Sequence, residues 1–199
     1  MTLLPRATAK AILWLLLAVP AALMLRGLVG GEALPMDLLH PSGETSVRLM
    51  VLAMLPGPLI DAFGPNRFLR GWLSIRRNLG VAAFAYALLH LAIYVIDMRT
   101  IAAMLDELGL PGIWTGWLAL FLMILPAAVS FDRAMRWLGR GWKRIQRLVY
   151  AAFVLALAHW LLLDWNWKPA AIHLLPLAMA WLLRAWRVST KVTRERTFA

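Results

Sequence analysis

The chain has 199 residues, of which 62% are hydrophobic and 16% charged, and its mean hydropathy of +0.70 is too high for a soluble domain. The formal net charge of +11 fits a nucleic-acid binder only on a soluble basic surface, which so apolar a chain does not offer. Cysteine is absent, which excludes disulfides, iron–sulfur clusters, thiolate zinc sites and c-type haem attachment and leaves histidine, methionine or oxygen as metal ligands.

A membrane-crossing helix needs about 20 apolar residues. Hydropathy predicts six of them, at about 9–29, 46–63, 78–97, 112–131, 147–164 and 169–187, separated by charged and Gly/Pro-rich connectors. The first reads as a span and not as a signal peptide, because five further apolar segments follow and no small-residue cleavage site is evident. The expectation is therefore an all-α integral membrane protein, a single six-helix bundle over residues 1–199.

With a cytoplasmic N-terminus, only Arg26, Arg48, Arg99 and Lys168 lie outside, which leaves 17 of the 21 Lys and Arg on the cytoplasmic side. That asymmetry predicts an even number of spans with both termini in the cytoplasm. The outer face is mildly acidic, carrying Glu32, Asp37, Glu44, Asp97, Asp106, Glu107 and Asp164. Trp72, Trp114, Trp137, Trp142, Trp165 and Trp167 lie near span ends, where indoles anchor to the interface. Pro20, Pro56, Pro58, Pro126 and Pro176 lie inside spans and predict kinks that neighbouring helices accommodate.

Four histidines carry the chemistry. His90 and His159 sit deep in two separate apolar stretches, and an imidazole in hydrocarbon is retained for a partner. His90 lies about 20 Å along its helix from the basic pair Arg76–Arg77, in the outer half of the membrane. Ala87, Ala83 and Gly80 share its face, and Ala156 and Ala152 stand in the same relation to His159. Such strips serve close helix packing or leave room for a flat macrocycle. Two histidines of matching depth favour a shared ligand, and a b-type haem with His90 and His159 as its metal ligands is the best candidate.

His173, about one turn into the sixth span, reads first as an interfacial residue, then as a donor to a haem propionate, then as an alternative axial ligand. His40 lies in a predicted outer loop, LLHPSGET, as a solvated residue. Arg48 either snorkels to headgroups or meets a propionate. Asp61 suits a cap or salt bridge, with a proton-relay role for quinone chemistry as the sharper reading. No carboxylate has the spacing of a catalytic zinc site, and no nucleotide-binding glycine pattern is present.

The run Arg76-Arg77-Asn78-Leu79-Gly80, with Phe84, Leu89-His90-Leu91 and Tyr94, resembles a signature of the MsrQ family and of the wider ferric-reductase-like transmembrane group. Leu138-Gly139, Trp142, Ile145, Val149 and Tyr150 resemble the family's second segment, His159 matches its second membrane histidine, and His40-Pro41-Ser42-Gly43 is similar to its H-x-T-G loop. The resemblance covers about residues 35–165 and implies a six-helix bundle that binds haem b and passes electrons from quinol or a cytosolic flavin reductase to a periplasmic redox protein. In MsrQ proper that acceptor is the molybdenum enzyme MsrP, which repairs methionine sulfoxide.

Gln146 stands where the family pattern has a histidine. Ferric reductases place two histidines 13 or 14 residues apart on each of two helices. Counting back from His90 meets Arg77 or Arg76, and from His159 meets Gln146, so one outer haem per chain is expected. A quinol, or another membrane redox subunit, would then supply the electrons. The rival reading is a structural or assembly subunit that has lost its haem. A transporter would need polar groups through the bundle centre, where this chain is apolar.

Overall fold

The computed structural model describes residues 6–164 and 167–197. Trp165 and the side chains of Lys191, Arg194 and Arg196 lie outside the described residues. Ten helices occur among those described: α1 (Arg6–Val29), α2 (Pro35–Met54), α3 (Pro56–Phe63), α4 (Arg67–Met98), α5 (Ile101–Glu107), α6 (Pro111–Ala128), α7 (Asp132–Leu138), α8 (Arg140–Gln146), α9 (Leu148–Leu163) and α10 (Trp167–Thr197). Six segments are long and apolar enough to cross a membrane, at Ala7–Val29, Pro35–Phe63, Arg67–Met98, Pro111–Ala128, Arg140–Leu163 and Trp167–Arg187. The six-span architecture expected from hydropathy is what the chain forms.

Local chemistry sets the ends. Proline opens α2 at Pro35 and α6 at Pro111, where a missing N–H costs nothing. Asp37 Oδ2 accepts the Leu34 N–H at 3.0 Å. The Asn66 side chain accepts the Leu69 N–H at 2.8 Å and so caps α4. Gly139, at φ 49°, makes the break between α7 and α8.

Three spans start earlier than hydropathy predicts, the fifth at Arg140 instead of near residue 147 and the second and third by eleven residues each. The second span begins at Pro35 and not near residue 46, which puts His40 on a helix instead of in a loop. Its first half carries His40, Ser42, Glu44, Thr45, Ser46 and Arg48, which depress hydropathy, yet the helix satisfies most of them. Thr45 Oγ1 donates to Pro41 O at 2.7 Å, Ser46 Oγ to Ala83 O at 2.8 Å, and Arg48 pairs with Glu44 at 2.7 Å. The third span starts at Arg67, eleven residues before the apolar run, because the Asn66 cap and the Arg70, Arg76 and Arg77 side chains extend the helix into the membrane interface.

The bundle is two antiparallel helix pairs set face to face, α2 along α4 and α6 along α9. Their inner faces supply Met50, Ala83, Tyr86, Met123, Ala152 and Phe153 to the core. α10 closes the bundle against α3, α2 and α9. α1 is largely lipid-facing and is tied in through Tyr86, whose hydroxyl accepts the Ala21 N–H at 3.0 Å and donates to Leu17 O at 2.7 Å. At the Arg-rich end of the bundle Arg77 meets Asp132 at 2.5 Å and Arg184 meets Asp61 at 2.9 Å. The Arg77 guanidinium holds the Asp132 carboxyl below the usual carboxylate range. Asp61 thus has the salt-bridging role expected of it. Trp72 and Trp142 sit at span ends and bond backbone carbonyls, Leu52 O at 2.9 Å and Val129 O at 3.0 Å.

Candidate functional site

Each helix pair brings one histidine to the space between them. The rings of His90 on α4 and His159 on α9 face one another with centroids 6.0 Å apart and planes at 87°. Both are anchored through Nδ1. His90 Nδ1 lies 2.9 Å from Leu39 O and 3.1 Å from Ser42 Oγ, both on α2. His159 Nδ1 lies 2.6 Å from Gly112 O on α6. A carbonyl only accepts, so each Nδ1 carries the ring proton and each Nε2 keeps its lone pair. That is the state of a metal-binding imidazole whose second nitrogen is fixed by the protein.

Glycine makes the approach possible. A Cβ at Gly43 would stand 3.2 Å from His90 Nδ1, and one at Gly116 only 2.5 Å from His159 Nδ1. Gly116 leaves no room for a side chain beside its histidine, and Gly43 leaves a methyl a few tenths of an ångström short of room.

The two rings border a cavity of about 450 Å³, a volume typical of small-molecule sites. Its walls are apolar, with Val47, Met50, Leu120 and Met123 among them, and Ala87 and Ala156 stand one turn from the histidines. The small-residue strips therefore divide. Ala87 and Ala156 border open space, while Ala83 and Ala152 are fully buried in helix contacts. At the mouth lie His40, Glu44, Tyr94, Glu107 and Asp164, at the end of the bundle opposite the Arg-rich connectors. Tyr94 donates to Glu107 Oε2 at 2.8 Å.

The spacing fits one metal between two imidazoles. Two Nε2–metal bonds of about 2.0 Å on opposite faces put the ring centroids roughly 6 Å apart, as observed. A bare ion is poorly served, since no group of three or more His, Asp or Glu side chains gathers among the described residues. A macrocycle supplies four equatorial donors of its own and asks the protein for the two axial ones.

His40 lines this cavity, packed edge-on against Trp160 with centroids 5.3 Å apart. His173 and Arg48 stand behind Glu44 and do not line it. His173 Nε2 accepts the Arg48 Nε–H at 2.9 Å, and its Nδ1 donates to Pro169 O at 2.5 Å, so both of its ring nitrogens are engaged. Gly116, Leu39 O and Gly112 O escaped the sequence reading, and Ser42 and Gly43 entered it only as part of a loop motif with no tie to His90. The Gly112–Gly116 spacing, a small-residue pair one turn apart, was the signal available.

A second cavity of about 260 Å³ lies at the other end of the bundle, beside the Arg-rich connectors. It is lined by Asp61, Arg76, Arg77, Gly80, Trp142 and Gln146 among others, and by no histidine. Gln146 Nε2 donates to Pro126 O at 3.0 Å and Ser130 Oγ at 3.3 Å. Met50 and Met123 line both cavities and separate them.

Comparison with known proteins agrees with this arrangement. Residues 42–157 match the family model of the ferric reductase like transmembrane component. The protein-methionine-sulfoxide reductase heme-binding subunit MsrQ of Brucella anthropi is 29% identical over 160 residues, spanning 79% of this chain and 70% of that protein. The MsrQ proteins of Brucella ovis and Brucella suis are 30% identical over the same shares of each chain. By the extent of both matches, the chain belongs to the MsrQ family within the ferric-reductase-like transmembrane group.

Proposed function

We propose that the chain is a b-type haem electron-transfer subunit of the bacterial inner membrane, with His90 and His159 as the axial ligands of one haem. The observation that carries this reading is the facing imidazole pair, centroids 6.0 Å apart, each ring fixed through Nδ1 to a backbone carbonyl. The relatives' name as heme-binding subunits supports the choice of cofactor. Bis-imidazole ligation keeps iron low-spin and six-coordinate, which suits one-electron transfer without ligand exchange. The role of the protein is then geometry and potential, and the subunit is a carrier more than a self-contained catalyst.

The acceptor in this reading is a periplasmic methionine-sulfoxide reductase of the MsrP type, meeting the outer face near the cavity mouth. The donor is a membrane quinol whose head enters the inner cavity, where Gln146 and the Arg76–Arg77 pair offer polar contacts. Gln146 spends its amide protons on Pro126 and Ser130, and glutamine is a poor haem ligand, so this cavity takes no second haem.

The test is a reduced-minus-oxidised visible spectrum of the detergent-purified protein with a pyridine haemochrome assay. About one low-spin b haem per chain is expected, lost in His90→Ala and in His159→Ala. Retention of the spectrum in either variant overturns the ligand assignment. A wild-type protein that binds no haem moves the chain to the structural-subunit class. Failure of any quinol to reduce the haem removes the proposed donor.

A further inference from the structure

The two helix pairs hold their histidines with one repeated device. On α2, Leu39 presents the carbonyl, Ser42 a hydroxyl and Gly43 the gap. On α6, Gly112 presents the carbonyl, Thr115 a hydroxyl and Gly116 the gap. The spacing is the same in both, with the hydroxyl three residues and the glycine four residues after the carbonyl. Three and four residues forward is one face of a helix, so the carbonyl, hydroxyl and gap all meet the ring packed there.

Hydroxyls often bond back to carbonyls in their own helix. Here each bonds the very carbonyl that receives the imidazole proton. Ser42 Oγ donates to Leu39 O at 2.9 Å and also lies 3.1 Å from His90 Nδ1. Thr115 Oγ1 lies 2.8 Å from both Gly112 O and Pro111 O. Both hydroxyl residues are buried, and in that setting neither group has water as an alternative partner.

We infer that Ser42 and Thr115 are paired positioning residues that set how strongly each histidine donates to the metal bound at its Nε2. This rests on the haem reading above. A carbonyl shared with a second donor pulls less on the Nδ1 proton. The imidazole then has less imidazolate character and stabilises oxidised iron less. Removing the hydroxyl leaves the carbonyl to the imidazole alone, strengthens that bond and favours the ferric state.

The experiment is a redox titration of the purified wild type, Ser42→Ala, Thr115→Val and the double variant, with haem per chain measured on the same samples. The expected result is unchanged haem content, a retained low-spin spectrum and a midpoint potential shifted to more negative values. The shift is larger for Thr115→Val, because Ser42 Oγ also accepts from the His90 Nδ1–H, and losing that acceptor in Ser42→Ala partly offsets the stronger bond to the carbonyl. Ser42→Thr and Thr115→Ser restore the wild-type potential. Potentials that stay unchanged or rise, with haem retained, overturn the positioning role and leave the haem reading standing. Haem loss without any potential shift in the remaining fraction assigns the hydroxyls to folding alone and overturns it too. Wild-type protein that binds no haem removes both readings together.

Discussion

The site depends on pairs of residues that differ in how much they tolerate. Gly116 and Gly43 occupy matching places, but a Cβ would meet the His159 ring at 2.5 Å and the His90 ring at 3.2 Å. The first contact forces the ring off its carbonyl and the second asks for a few tenths of an ångström. Gly116→Ala is therefore expected to lower haem per chain sharply and to destabilise the protein by about 1–3 kcal/mol, the usual range for overpacking. Gly43→Ala is expected to keep most of its haem. Haem-to-protein ratio and thermal midpoint on both variants check the order, and a reversed order contradicts the cradle described for the two rings. His90 and His159 were legible as isolated polar residues in apolar runs. Their glycines were not, because a glycine in a membrane helix has many uses and only the partner across the gap says which applies.

Helices in this bundle are joined by few but specific polar contacts, as expected where lipid competes for apolar surface. α1 shows this most plainly, since its window of highest hydropathy contains no buried residue. The Tyr86 hydroxyl is inserted into the α1 backbone between Leu17 O and the Ala21 N–H, next to Pro20, which has no N–H of its own. Tyr86→Phe removes both bonds and is expected to cost on the order of 1 kcal/mol. Faster proteolysis in the α1–α2 connector should accompany this loss, with the haem spectrum unchanged because Tyr86 does not line the cavity. A variant that loses haem before it loses α1 contradicts that separation. Hydropathy located α1 correctly, while the docking tyrosine on a distant helix had no sequence mark. The second span was misjudged at its start for the opposite reason: polar residues that pair within the helix or across to α4 read as loop when counted singly.

At the scale of the molecule, charge predicts orientation. Reporters fused to either terminus are expected to behave as cytoplasmic: a fluorescent protein at the C-terminus matures, and alkaline phosphatase there stays inactive. Active phosphatase at the C-terminus reverses the assignment and places the His90–His159 cavity on the cytoplasmic side. Composition alone determined that the chain lives in a membrane, that it crosses six times and that any metal must be held without thiolate, because these follow from summed hydropathy and residue counts. The depth of His90 and His159 in their apolar runs was enough to mark the pair, and the family resemblance marked Gln146 as standing where a histidine was expected. Only the tertiary structure decided that His40 joins the cavity, that His173 and Arg48 are turned toward Glu44, and that two carbonyl–hydroxyl–glycine cradles set the imidazoles 6.0 Å apart. Those relations cross from one helix to another over long stretches of chain, 47 residues from Gly112 to His159 and 125 from Arg48 to His173. Local periodicity records which face of a helix is buried, and it carries no record of which distant helix that face will meet.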